Sequence, residues 1–299
     1  MVSPEQSIYS APTGSKCCNR GFGGKGMAEE VAVHYSGDGD LAEKISESLR
    51  RAGKGLDNLK PTDLAAIDEF HFRGREATLE LAEQMKLSED SCVLDIGSGL
   101  GGTARTLAGE YGCHVTGLDL TQAFCDAARV MSDWVNLSER VKFQQGDATN
   151  SPFAENQFDA AITIHVAMNI PAKDKLYEQA RRVVKPGGIF AVYDILQGET
   201  GDALFPAPWA RDSSISYLAT PDEMKVLLAD AGFKILDIHD STDESQNWLE
   251  ARTTRMVQSG PSPVTIQILF GDDYPEMVSN QIRGLTERRI RTVSYICEA

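Results

Sequence analysis

The sequence predicts an α/β fold: a doubly wound, mostly parallel seven-stranded sheet with a helical extension at its N-terminal side and a helical insertion before the last strand. Three observations carry this expectation. Between residues 92 and 240, short apolar runs alternate with segments of helical periodicity five times. The first run passes directly into a glycine cluster and a helical segment, VLDIGSGLGGTART (93–106). Strand and helix alternating in this way call for parallel strands joined by helical crossovers.

Taken in order, residues 1–28 are rich in Ser, Gly and Pro without periodicity and read as a mobile tail. Glu5 and the scarcity of Arg argue against a transit peptide. Residues 29–88 read as a helical extension or lid. Leu41, Ile45 and Leu49 share one face of LAEKISESLRR, a polar linker containing Pro61 follows, and a second helix, REATLELAEQM, starts after Gly74. The sheet domain then spans 89–299. CVLDI (92–96) is a strand, and Ala104, Leu107 and Ala108 mark a helix. HVTGL (114–118) is the second strand, and Thr121 caps a helix with Phe124, Ala127, Ala128 and Met131 on its apolar face. VKFQQ (141–145) and FDAAITI (158–164) are strands. KDKLYEQARRVV has the spacing of a helix that KPGG (185–188) stops before the strand IFAVYDI (189–195). Thr220-Pro221-Asp222-Glu223 is a capping box with Pro at the first helical position. Its helix ends at Gly232, before FKILDIHD. Residues 242–288 hold two helical patterns, and RIRTVSYICEA closes the sheet.

Bulk composition excludes several functions. The chain has 299 residues, 44 acidic against 29 basic side chains and a net charge of -15, a surface that repels nucleic-acid backbones. No apolar run approaches the length of a membrane span. No basic segment precedes an apolar core at the N-terminus, so a cytoplasmic location is expected. The six cysteines (Cys17, Cys18, Cys92, Cys113, Cys125 and Cys297) form no C-x-x-C pair and read as thiols of a reducing compartment, with no metal site expected.

The glycine turn identifies the class of ligand only in context. Gly97, Gly99 and Gly102 fit G-x-G-x-x-G, and the helix after them offers free N–H groups to a nucleotide of any kind. Asp119 ends the second strand, where a carboxylate accepts from ribose hydroxyls in dinucleotide and sulfonium cofactors alike. Asp95 is more telling: negative charge beside the turn opposes a pyrophosphate and suits a ligand with a sulfonium and an ammonium. In GDA (146–148), Asp147 is placed to accept from an adenine amino group while Ala148 leaves room for the ring. Asp95, Asp119 and Asp147 thus end three successive strands as an acidic rim for a cationic cofactor.

The order D-x-G-x-G, an acid ending strand two, GDA and KPGG resembles the class I S-adenosylmethionine-dependent methyltransferases, whose Rossmann-like sheet has seven strands. Further blocks resemble the sarcosine/dimethylglycine methyltransferase group: HYSGDGDLAEKI (34–45), DEFHFRGREATLELA (68–82), DLTQAFC (119–125), HVAMNI (165–170), PAPWA (206–210) and FGDDYPE (270–276). That resemblance implies N-methylation toward glycine betaine. Two departures stand out. Arg73 replaces a glycine of the group's F-H-x-G-G-R-E-A-T block, and Arg211 follows PWA where a small or polar residue is usual.

Site residues follow. For the cofactor the expectation is Asp95, Gly97, Ser98, Gly99, Asp119, Leu120, Thr121, Asp147, Ala148 and His165, with Arg75 on the cofactor carboxylate and Tyr35 closing over it. His34 and His71 read either as lid and pocket groups or as packing. Methyl transfer needs alignment, exclusion of water and at times a proton acceptor. His165, ending FDAAITI at the cofactor edge, is the catalytic candidate, with a strand-end hydrogen-bonding role as the alternative. Met168, Asn169, Tyr193, Trp209 and Arg211 are the substrate candidates. The Trp209 face would favour a quaternary ammonium product by roughly 0.5–2 kcal/mol. The first function expected is methylation of the amine of sarcosine or dimethylglycine, with Arg211, Arg73 or Arg75 on the substrate carboxylate. The second is C- or O-methylation of an aromatic or heterocyclic secondary metabolite. A nicotinamide dehydrogenase lacks its Tyr-x-x-x-Lys or His/Asp pair. The partner expected is a small-molecule acceptor, with a homodimer left open.

Overall fold

The computed structural model describes residues 40–259 and 266–299. Three helices come first: α1 (Leu41–Arg51), α2 (Pro61–Asp68) and α3 (Arg75–Gln84). The alternating part runs β1 (Cys92–Ile96), α4 (Gly102–Tyr111), β2 (His114–Asp119), α5 (Gln122–Trp134), β3 (Val141–Gln145), β4 (Phe158–Ile164), α6 (Lys173–Val183), β5 (Val184–Gln197), α7 (Pro221–Asp230) and β6 (Lys234–Asp240). Then come α8 (Thr242–Ser259), the short α9 (Gln267–Phe270), α10 (Tyr274–Thr286) and β7 (Ile290–Glu298). No helix among the described residues is long and apolar enough to cross a membrane.

The seven strands lie in the order β3-β2-β1-β4-β5-β7-β6. β1 to β5 pair in parallel with their neighbours, and β7 runs antiparallel to both β5 and β6. Because successive strand residues face opposite sides, Val93 and Leu94 enter different cores. One core packs α3 and α4 on the sheet through Leu81, Val93, Leu107 and Ile162. The other packs α6 and α7 through Leu94, Ala161, Leu176 and Met224. A third cluster seats α1 and α2 on α5 through Ile45, Leu49, Leu64, Ile67 and Met131. Strand order reverses between β1 and β4, which opens the crevice where a ligand binds in this topology.

Local chemistry explains most boundaries. The capping box is formed: Glu223 N–H donates to Thr220 Oγ1 at 3.2 Å, and Thr220 N–H to Glu223 Oε2 at 2.7 Å. Pro61 differs from expectation, since it begins a helix instead of lying in a linker. Proline at the first helical position loses no hydrogen bond, Asp63 accepts from Lys60 N–H at 2.9 Å, and Leu64 and Ile67 are fully buried. At the KPGG turn, Val184 already pairs with Phe158, and an irregularity shifts the register before Ile189 meets Ala160.

The extension sits directly on the glycine turn. A Cβ at Gly102, the first residue of α4, would lie 2.4 Å from the Asp68 carbonyl oxygen that ends α2. Gly102→Ala is therefore expected to cost about 1–3 kcal/mol, the usual penalty of overpacking. Urea unfolding should show a lower midpoint, and an unchanged midpoint would mean that the extension packs less closely than described.

Candidate active site

A cavity of about 520 Å³ opens at the carboxyl ends of β1, β2 and β4. Its lining includes Asp95, Gly97, Ser98, Gly99, Asp119, Leu120, Thr121, Asp147, Ala148, His165, Met168, Asn169 and Trp209 among the residues expected from the sequence. At the turn after β1, Gly97 has φ +74, and a Cβ there would meet Val166 Cγ2 at 2.3 Å. Only glycine satisfies both demands. Gly99 N–H donates to Asp119 Oδ2 at 2.7 Å, and Thr121 N–H donates to Asp119 Oδ1 at 2.8 Å. The carboxylate that ends β2 is thereby locked in place, with the Thr121 side chain as a third hydrogen-bond partner. Asp147 is exposed; its Oδ1 accepts from Thr149 N–H at 2.8 Å and from Thr149 Oγ1 at 2.7 Å, which shapes the turn around Ala148.

The floor of the cavity is short of hydrogen-bond partners. Asp95 Oδ2, Ser98 Oγ, Asp68 Oδ1 and His165 Nε2 are buried without one. Such atoms are costly unless something else satisfies them, and a ligand with an ammonium and a carboxylate offers the complementary groups. Burial pushes the Asp95 carboxyl up to about 8, with Asp119 and Glu69 adding to the rise. Asp119 is also raised by burial, against the two N–H donors that favour its anion.

The other end of the cavity belongs to His71, His165 and the loop of residues 205–217. His165 leaves β4 with φ +53, a left-handed conformation uncommon outside glycine. Its N–H donates to the Tyr193 carbonyl at 2.8 Å. Burial, with His71 as a second cause, holds the imidazole well below its usual pKa. The His71 ring lies 5.9 Å away, edge to face. Its Nε2 lies 2.9 Å from the Gly74 carbonyl oxygen, which can only accept, so Nε2 carries the proton. Burial brings His71 down to about 4, so both rings are neutral at pH 7. Asn169 Nδ2 donates to the carbonyls of Trp209 and Ile215, each at 2.8 Å, and clamps the loop over the site. Trp209 is 2% exposed, with its Nε1 donating to Ser216 Oγ at 2.9 Å. Asp194 supports the same wall from behind: buried, raised to about 7 by desolvation and opposed by Lys173, it also takes backbone N–H groups of Ala167 and Met168.

Three expected residues among those described are not brought to this cavity. Arg75 is engaged with Thr106, with Glu110 and, at 3.6 Å, with Glu69. Arg211 points to Asp273 at the surface. Tyr193 turns its hydroxyl to Ser245 at 3.1 Å and, with Arg73, lines a separate cleft of about 350 Å³. Tyr35 lies outside the described residues, as do His34, Cys17 and Cys18. Arg73 explains its own departure: it has φ +63, where glycine is at ease, and it is held there by Glu76 and Glu80. The sequence reading missed Asp68, Phe70 and Gln281, and left His71 undecided; all four line the cavity. The block DEFHF contained the signal for three of them, five polar or aromatic side chains in a row where α2 ends.

Between pH 6.5 and 8 the folded chain keeps the Asp95 proton that the unfolded chain has given up, so stability falls as pH rises across this window. Below that window the depressed His71 and His165 work in the opposite direction. At about 1.4 kcal/mol per proton and pH unit, the loss amounts to about 2 kcal/mol. Melting of the ligand-free protein at the two pH values tests this. Asp95→Asn should flatten the slope, and a melting temperature that rises with pH would contradict it.

Comparison with known proteins agrees with this geometry. The model of the methyltransferase domain family matches residues 94–192. Over 122 residues the chain is 38% identical to the sterol 24-C-methyltransferase ERG6B of Gibberella zeae, covering 41% of this chain and 32% of that protein. Over 214 residues it is 29% identical to the methyltransferase GfsG of Streptomyces halstedii, covering 70% and 76%. Two further fungal sterol 24-C-methyltransferases are matched over 50% of their length. A solved structure of a candidate sarcosine dimethylglycine methyltransferase from Galdieria sulphuraria superposes with a TM-score of 0.61 at 17% identity, covering 86% of this chain and 98% of that one. The resemblance to the sarcosine/dimethylglycine group therefore reaches fold in this neighbour, whereas the first sequence relatives are sterol C-methyltransferases. Matched residues, strand order and cavity agree: residues 94–192 are similar to the methyltransferase domain family and form the core of a seven-stranded, Rossmann-like sheet, and the chain spans half or less of the length of the sterol methyltransferases it matches.

Proposed function

We propose that the chain uses S-adenosylmethionine to methylate a neutral, largely apolar small molecule. The observation that carries this reading is the absence of an uncommitted cation at the acceptor end of the cavity among the described residues. That end is formed by Phe70, His71, His165, Met168, Ile195, Pro208 and Trp209. Arg73, Arg75 and Arg211, the groups that a sarcosine or dimethylglycine carboxylate would require, are each paired with acids elsewhere. Lys175 also lines the cavity, but it lies on α6, which packs against the Ala148–Asn150 turn at the adenosine end. An anionic acceptor in the apolar end would leave its charge unpaired, at a cost of several kcal/mol.

The buried atoms without partners and the glycine turn suit S-adenosylmethionine. Asp119 would hold the ribose, Asp147 and Ala148 the adenine, and Ser98 and the acids beside it the amino-acid end. When bound, the cofactor supplies an electrophilic methyl group. The chain's own residues supply the rest. Trp209, Phe70 and Met168 exclude water and align the acceptor, and the two neutral imidazoles beside Gln281 offer the polar contacts of that end. His165 is placed to take up or hold a proton of the acceptor. This favours a hydroxyl or an electron-rich carbon, the second of the expectations from sequence, and agrees with the sterol C-methyltransferase names among the relatives.

Incubation with methyl-labelled cofactor and a panel of phenols, indoles and apolar alcohols, beside sarcosine and dimethylglycine, tests the reading. Label is expected in the neutral acceptors; transfer confined to the two amino acids would reverse it. His165→Ala should lower kcat by roughly 10²–10⁴, the usual range for a lost proton-transfer group. Affinity for S-adenosylhomocysteine should stay within a few-fold, and a kcat unchanged by the substitution would remove His165 from the chemistry.

A further inference from the structure

The amino-acid end of the cavity holds two carboxylates with an open oxygen. Asp68 and Asp95 both line it, 7% and 2% exposed, and Asp68 Oδ1 and Asp95 Oδ2 have no partner. Their surroundings differ. Arg105 Nη2 donates to Asp68 Oδ2 at 2.7 Å, in an ion pair whose side chains are 1% and 2% exposed. Arg105 is itself fixed by the Ala128 carbonyl at 3.1 Å and Ser132 Oγ at 3.0 Å. A two-pronged pair would have used both carboxylate oxygens. This one-pronged contact uses Oδ2 and leaves Oδ1 open. Asp95 faces Asp119 as well as the Glu69 that also acts on Asp68; it takes the Ala104 N–H and feels Arg105 only as a nearby charge, with no basic side chain bonded to it among the described residues. Burial with Arg105 alongside leaves Asp68 at about 6, against about 8 for Asp95, so at neutral pH Asp68 is the anion of the two.

We propose that Asp68 Oδ1, aimed by Arg105, is the anchor for the α-ammonium group of the cofactor. The inference rests on the S-adenosylmethionine reading of the cavity. It assigns to the extension, and not to the glycine turn, the contact that distinguishes an amino-acid-bearing cofactor from a bare nucleoside. Asp95, Asp119 and Glu69 are the other acids that face this end, with Arg105 and Arg75 as the cations behind it.

Calorimetric titration of three ligands tests this: S-adenosylhomocysteine, its analogue lacking the α-amino group, and 5′-methylthioadenosine. In the unmodified protein, removal of the amino group is expected to weaken binding about 10- to 100-fold, the range for a hydrogen bond between charged groups. Asp68→Asn should bind S-adenosylhomocysteine that much more weakly and no longer distinguish it from the deaminated analogue. Its affinity for 5′-methylthioadenosine should fall much less than that for S-adenosylhomocysteine, and measurable binding of the nucleoside also shows that the variant is folded. Asp95→Asn should keep the distinction. Equal weakening of all three ligands by Asp68→Asn, or loss of the distinction in Asp95→Asn alone, overturns the proposal. Should Asp68→Asn fail to fold, the unmodified protein carries the test through pH. The distinction should persist from pH 8 to 6.5 and fade below about 6; fading between pH 8 and 7 would point to Asp95 and overturn it. If the unmodified protein binds 5′-methylthioadenosine but shows no preference for the amino group, only this inference fails. If it binds none of the three, the cofactor reading fails with it.

Discussion

The buried ion pair between Asp68 and Arg105 is the constraint on which the site depends. It joins the end of α2 to the middle of α4, the helix whose N-terminus closes the glycine turn. Beside it, Glu69 accepts from Thr78 Oγ1 and from Thr106 Oγ1, each at 2.6 Å, so α3 and α4 are tied through the same pair of acids. At this depth the pair still leaves Asp68 Oδ1 and Arg105 Nε without a protein partner, which is costly. Arg105 finds the Ala128 carbonyl and Ser132, which draws α5 into the arrangement. The cavity wall formed by Asp68, Phe70 and His71 is therefore tied to α3, α4 and α5, although it belongs to no strand.

The same burial decides how charge is distributed. A row of acids at strand ends suggests a strongly negative cradle, yet desolvation raises Asp95, Asp119 and Asp68 together. The site without ligand thus moderates its own charge by keeping protons, and an incoming cation supplies what the fold withholds. The acceptor end is handled differently. There the titratable groups are imidazoles kept neutral by burial, so that end stays uncharged with or without its occupant.

Features governed by short-range rules were legible in the sequence. The glycine turn, Asp119 and Asp147 at strand ends, and the Thr220–Glu223 box depend on neighbours a few residues away, or on which strand end faces the crevice. The Pro61 helix was misjudged because eight residues carry too little periodicity to outweigh a proline, although Pro61 and Asp63 were the correct start signals. Arg75, Arg211 and Tyr193 were beyond such reading for another reason. Their side chains are long, and partners such as Glu110, Asp273 and Ser245 come from segments that only tertiary packing brings near. Asp68 belongs to the same class, since its value as a site residue arises from Arg105, 37 positions away.

The placement of β7 has a consequence for the order of folding. β7 lies between β5 and β6, antiparallel to both, so β6 has no strand neighbour until residues 290–298 arrive. Strands β1 to β5 can each add beside a strand already present as they emerge during synthesis, β2 and β3 on one side of β1 and β4 and β5 on the other. β6 must wait, its Leu236 and Ile238 exposed and both of its edges unpaired. Closing that gap joins segments about 50 to 100 positions apart, a slow class of contact. This strand is where a half-made chain would be open to wrong pairing with another copy of itself.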